Sequence, residues 1–269
     1  MLWYGLALKM AMTAAIVVAT SVAVERGGPF FGALVAALPT AAGAAYLILA
    51  YEHPPSFIAA SAVGSVAINA AVSIFAATYT LLAQRHGLIV SVGAAIVLWF
   101  AAAAAMQEID WTPLGAVILN AVVFAVTIPL TRRYRTSAPP PKALRTAFDL
   151  PLRALTAAAL VAAVTTASFR IGSFASGMFA LFPIVMGSFV VASHPHVGGK
   201  AVASVLAHAQ IPLIGLSLGF LTVHSLAEPL GSWWALAIGL LVCLAWSGLL
   251  FVLRRRAATT VTPSSPTGP

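Results

Sequence analysis

The sequence predicts an all-α polytopic membrane protein. It reads as about nine transmembrane helices, arranged as two inverted four-helix repeats plus one linking helix. Three observations carry that reading. Of the 269 residues, 61% are hydrophobic and only 7% charged, with a mean hydropathy of +1.00; a soluble domain would be about a quarter charged. Nine apolar runs of about 19 to 26 residues follow one another, each long enough to cross a bilayer as a helix. Finally, the chain resembles itself at a fixed offset of 144 positions.

In order, the spans are Leu2–Val24, Pro29–Ala50, Phe57–Leu82, Leu88–Met106, Trp111–Leu130, Leu150–Phe169, Ile171–Ser193, Ala201–His224 and Trp233–Leu253. Pro29, Pro113 and Pro151 fall in first turns, where a missing N–H costs nothing. The first span mimics a signal peptide, with Lys9 before an apolar run and Ser21-Val22-Ala23 after it. Because Leu150–Phe169 repeats the pattern inside the chain, a retained span is expected. Spans two and seven each carry a proline near the middle, Pro39 and Pro183. A mid-span proline removes a donor and crowds the preceding turn, so the helix kinks or breaks there.

Net charge is +8, which in a soluble chain would suggest nucleic acid. Here the cations lie mostly between apolar runs and set orientation, so the expected partner is the lipid bilayer and not nucleic acid. With the N-terminus outside, the inner segments hold Arg26, Arg85, Arg132, Arg133, Arg135, Lys142, Arg145, Lys200 and Arg254 to Arg256. Glu52, Glu108, Asp110 and Glu228 then face out, with Arg170 as the basic exception. The cytoplasmic excess of Lys and Arg favours this N-out, C-in assignment in a bacterial inner membrane. Trp3, Tyr4, Trp111, Trp233 and Trp234 gather at the same outer interface.

The domains expected are a first repeat over 1–110, a linking helix over 111–131, a basic Pro-rich cytoplasmic linker over 132–149, a second repeat over 150–256, and a disordered tail over 257–269. At the offset of 144, Lys9 meets Arg153, Arg26 meets Arg170, Gly28 meets Gly172, Phe30 meets Phe174, Pro39 meets Pro183 and Gly43 meets Gly187. Chance matches of Ala and Leu are cheap in so biased a chain; this ordered series is not. Beyond Gly43 the register loosens, although spans three and four pair with eight and nine. Five crossings precede the second unit, so it enters the membrane from the opposite side. That is the inverted arrangement which many secondary transporters use for alternating access.

The stretch LALKMAMTAAIVVATSVAVERGGPFFGALVAALPTAAGAAYLILAYE resembles the GlpM family of small bacterial inner-membrane proteins through Lys9, Arg26, Gly32, Leu38, Pro39, Thr40 and Tyr46. Members of that family are about one repeat long, so this chain would be a duplicated version. The resemblance covers the first two spans directly and the second half only through its likeness to the first. Ile184 stands where Thr40 would recur. The resemblance implies an inner-membrane location and a transport or envelope-polymer role, with no defined substrate.

Candidate substrate-binding residues are Lys9, Arg153, Pro39, Gly43, Pro183, Gly187, Asn69, His208 and Gln210. Lys9 and Arg153 are either paired cationic gates for an anionic substrate or side chains that snorkel to headgroups. Arg26 and Arg170 close the first turns of their units, as gates or as anchors. Pro39, Gly43, Pro183 and Gly187 form either a broken-helix site or kinks with small residues for close packing. Asn69, Ser73, His208, Gln210 and Pro212 line a cavity or make interhelical hydrogen bonds, and His208 could couple a proton. His194-Pro195-His196 reads as a turn, since no nearby thiolate or carboxylate completes a metal site, and Glu52-His53-Pro54-Pro55, the outer loop after span two, reads as a turn too.

No enzyme is expected. The sequence has no paired intramembrane carboxylates, no nucleophile elbow, no His-Glu-x-x-His and no phosphate loop. Cys243 is the only cysteine and lies within a span, so neither an intramolecular disulfide nor a thiolate metal cluster arises. No cofactor or metal is anticipated. The expected function is a secondary transporter or flippase-like carrier of a small or lipid-linked, anionic substrate, with a homo-oligomer compatible. The alternative is a non-transporting scaffold of an envelope biosynthetic complex.

Overall fold

The computed structural model describes residues 10, 11, 13–15, 40–135 and 149–259, all in helices or short connections. Among them the helices are α1 (Thr40–Glu52), α2 (Pro55–Leu82), α3 (Leu88–Gln107), α4 (Pro113–Arg132), α5 (Asp149–Ala180), α6 (Ile184–Val197), α7 (Gly199–Leu230) and α8 (Ser232–Thr259). Six segments are long and apolar enough to cross a membrane: Pro55–Leu82, Leu88–Gln107, Pro113–Arg132, Ala154–Ala180, Gly199–Leu230 and Ser232–Leu253. The protein is an all-α, multi-pass, membrane-embedded chain. Most of span one and the front of span two, with Lys9, Arg26 and Pro39, lie outside the described residues. So does the side chain of Arg153.

Helix ends follow local chemistry. Pro55 and Pro113 sit in first turns, and the Thr112 hydroxyl caps α4 by accepting the Gly115 N–H at 3.1 Å. Three junctions of the second half use glycine with positive φ: Gly172 at 80°, Gly198 at 83° and Gly231 at 84°. Any side chain would be strained in that conformation, which changes the chain's direction between helical segments at a single residue.

Three expectations need correction in their detail. Span seven, expected as Ile171–Ser193, does break at Pro183 as its proline predicts, with α5 ending at Ala180, Leu181 to Pro183 non-helical and α6 starting at Ile184. No loop separates it from span six, however: its first part continues that span through Gly172. His194-Pro195-His196, expected as a turn, lies in the last turn of α6, because Gly198 and not Pro195 ends that helix. Residues 257–259, expected in the tail, are helical, since α8 extends to Thr259; residues 260–269 lie outside the described residues.

At the centre stands α2. Its spanning window is 83% buried, against 28% for α3 and α4 and 11% for α8. The small residues of α2 explain that position. A Cβ on Gly64 would collide with the Phe174 carbonyl, and one on Gly177 with the Ser61 carbonyl, so α2 and α5 touch backbone to backbone. Without a hydrophobic force between helices in lipid, such close approach supplies the dispersion energy that holds them.

The main partner of α2 is α7, and the two run antiparallel. Ala59 meets His224, Asn69 meets Leu213, Ser73 meets Gln210 and Thr80 meets Ala203. Helix starts recur through the chain: Pro55 and Leu88 open α2 and α3, and the residues 144 positions later, Gly199 and Ser232, open α7 and α8. Asn69 and Leu213, which touch at the crossing of α2 and α7, are separated by that same 144.

Candidate functional site

The polar residues of the interior converge where α2, α4 and α7 meet. Asn69 donates through Nδ2 to the Leu213 carbonyl at 2.8 Å and to Ser217 Oγ at 2.7 Å. Ser217 donates to Asn120 Oδ1 at 3.2 Å, and Asn120 Nδ2 donates to the Val66 carbonyl at 2.6 Å. One turn further, Ser73 lies 2.8 Å from Thr127 Oγ1 and donates to Gln210 Oε1 at 3.3 Å. Gln210 Nε2 then donates to Thr131 Oγ1 at 2.9 Å. Asn69 and Gln210 are fully buried, and Asn69 Oδ1 has no hydrogen-bond partner. All of these groups are neutral. They can bind by hydrogen bonding but cannot exchange a proton near neutral pH.

Asn69 and Gln210 were expected near one another and sit in adjacent hydrogen-bonded clusters, Asn69 with Ser217 and Asn120, Gln210 with Ser73 and Thr131. His208 joins neither: its Nδ1 lies 2.8 Å from the Ser204 carbonyl on its own helix. A carbonyl only accepts, so Nδ1 is the donor in this contact. Asn120, Thr127 and Thr131 were not foreseen. Their spacing of seven and four places them on one face of α4, which is a readable signal of a polar stripe facing a partner.

The broken span forms a second feature. Pro183 precedes α6, and Ile184 N–H reaches back to the Phe182 carbonyl at 2.6 Å. Around the break, Trp99 packs edge-on to Phe182 with centroids 4.9 Å apart and lies 6.2 Å from Phe179. Trp99 is fully buried, and its indole N–H has no partner. Gly187 follows one turn into α6, with no atom within 4 Å of where a Cβ would stand.

Gly43 lies elsewhere, on a cavity of about 320 Å³ between α1, α7 and α8, together with Tyr46, Phe220, Trp233 and Cys243. Tyr46 spans the gap to α2 through Ser65 Oγ at 2.7 Å, and Ser65 donates on to the Gly177 carbonyl. Cys243 stands 144 positions after Trp99. Where α3 fills its side of the bundle with an indole, α8 presents a thiol beside open space.

Each end of the bundle carries a histidine contact between elements far apart in sequence. At one end His53 Nε2 meets Ser168 Oγ at 2.8 Å. Ser168 already donates to the Thr165 carbonyl, so the histidine is the donor. At the other end Tyr79 Oη and His194 Nδ1 are 2.7 Å apart. Among the described residues, no group of three His, Cys, Asp or Glu side chains comes together to hold a metal. No protein-family profile, characterised protein or solved structure matches the chain.

Proposed function

We propose that the protein is a secondary carrier, or a flippase-like relative of one, for a small or lipid-linked anionic substrate. The break at Leu181 to Pro183 carries the reading. A helix interrupted inside an apolar span frees backbone carbonyls where lipid cannot satisfy them, and such breaks persist where they face protein or substrate. The inverted repeat belongs to the same proposal. The antiparallel crossing of α2 and α7, and the helix starts that recur 144 positions on, support it. A duplicated GlpM-like unit is the ancestry that fits these features.

We place the protein in the bacterial inner membrane with its N-terminus outside. The contacts support that orientation. Arg85, Arg132, Arg133 and Lys200 lie at the end where α2 and α4 finish and α7 starts, while Glu52, Glu108, Asp110 and Glu228 lie at the other. The scaffold reading draws on one observation of its own: Asn69 and Gln210 are packed with no solvent exposure, as in a static interface.

Cysteine pairs separate the two readings in a Cys243→Ala background. One pair replaces His53 and Ser168, the other Tyr79 and His194. In a carrier, cross-linking one end changes the maleimide reactivity of Gly187→Cys at least severalfold relative to cross-linking the other. Equal reactivity in both locked forms would remove alternating access and leave the scaffold. A solute-uptake screen with Lys9→Ala and Arg153→Ala then addresses the substrate.

A further inference from the structure

A groove of about 450 Å³ runs along the outside of the bundle between α4 and α7. On α4 its wall extends from Val117 to Pro129, about 18 Å of helix at 1.5 Å per residue. Ala121 and Ala125 are exposed there, and Ile214 and Leu218 form the facing wall. The floor is Asn120 and Ser217, whose polar atoms are already spent on each other and on α2. Pro129 cannot give an N–H to the Ala125 carbonyl, so the α4 ladder is interrupted beside the groove. The walls are therefore apolar, and they face the bilayer.

The two ends differ. Towards the start of α4 the flank is apolar, with Leu114 exposed and Leu221 on the lining. At the other end the stripe of Ala121, Ala125 and Pro129 continues into Arg132, an exposed residue in the last turn of α4. The next arginine, Arg133, lies over the Tyr134 ring at 4.7 Å. Arg135 donates through Nε to the Ala207 carbonyl of α7 at 3.1 Å, and Arg132 is the exposed arginine one turn beyond the groove's α4 wall. An apolar channel roughly half a bilayer deep, followed at its interfacial end by an exposed guanidinium, matches one kind of molecule. It needs a single hydrocarbon chain joined to an anionic headgroup.

We propose that this groove holds one acyl chain of an anionic phospholipid, with its phosphate on Arg132. The chain fills space that α4 and α7 leave open, and the arginine distinguishes this lipid from its zwitterionic neighbours. The site lies outside the broken span and does not depend on the carrier reading. A carrier and a scaffold would both hold the lipid.

The test is native mass spectrometry of the full chain released from nanodiscs of equimolar phosphatidylglycerol and phosphatidylcholine with identical acyl chains. The wild-type protein is expected to retain one phosphatidylglycerol, with about tenfold preference over phosphatidylcholine. Arg132→Gln should bring the two lipids to parity while total retention stays the same, because the groove is intact. Ala121→Phe should lower total retention severalfold, and Val122→Phe, exposed but off the lining, should change nothing. If Ala121→Phe melts early, Ala125→Leu decides by the same readout. Equal retention of both lipids by the wild type, or equal losses in Ala121→Phe and Val122→Phe, would reduce the groove to ordinary annular contact and overturn the proposal.

Discussion

Asn69 shows how single residues work in this bundle. Both of its Nδ2 donors are used, on the Leu213 carbonyl and on Ser217, at the point where α2 crosses α7. In lipid a polar group has no water to fall back on, yet measured interhelical hydrogen bonds remain modest because the unfolded chain in the membrane also finds partners. Asn69→Ala should therefore cost about 1–2 kcal/mol, measured by reversible denaturation in detergent mixtures. A change below a few tenths would mean that these bonds are spectators. Asn69 and Gln210 were legible in the sequence because an amide inside an apolar run must find a partner on another helix or face a wet cavity. Asn120, Thr127 and Thr131 were missed although their helical spacing was in view, since a threonine on a membrane helix usually bonds its own backbone. Thr127 and Thr131 do so, to the Val123 and Thr127 carbonyls, while Thr127 also meets Ser73 of α2 and Thr131 accepts from Gln210 of α7.

Among the elements, glycine takes opposite roles in helices of similar composition. Gly177 in α5 touches the backbone of α2, so Gly177→Ala forces the helices apart and should destabilise by about 1–3 kcal/mol. Gly43 in α1 borders open space, and Gly43→Ala should raise stability by up to about 1 kcal/mol through helix propensity alone. Thermal unfolding of the two variants checks the contrast; a loss from both would mean that the α1 cavity closes in the membrane. In the sequence Gly43 stood out as part of a broken-helix site or a packing kink, and Gly177 did not stand out at all. The second proline was read more sharply: a break or kink at Pro183 followed from its missing N–H, and the chain does break there. Pro195 was misread as marking a turn: the helix runs on past it although the Val191 carbonyl loses an N–H there, and Gly198 is what ends α6.

For the molecule as a whole, charge is the coarsest organiser. Arg85 just after α2, Arg132 in the last turn of α4 and Lys200 in the first turn of α7 lie at one end, and the acids lie at the other, with Arg170 as the basic exception. Reporter fusions should accordingly place the His53–Pro54 link and the Glu108–Thr112 connection outside, and the segment after Arg133 in the cytoplasm. Phosphatase activity from a fusion after Arg135 would reverse the orientation and move the lipid groove's arginine to the outer leaflet. What composition and apolar run length determined was the class: a helical chain crossing the membrane many times, because any such chain must satisfy its backbone internally. Run length says nothing about neighbours, however, so the central place of α2 was decided only by where Gly64 and Gly177 let backbones meet. The same packing decided that the α3 side is filled by Trp99 while α8 offers Cys243 beside a cavity. A fixed offset in sequence relates residues, but only three-dimensional contact settles which of them touch.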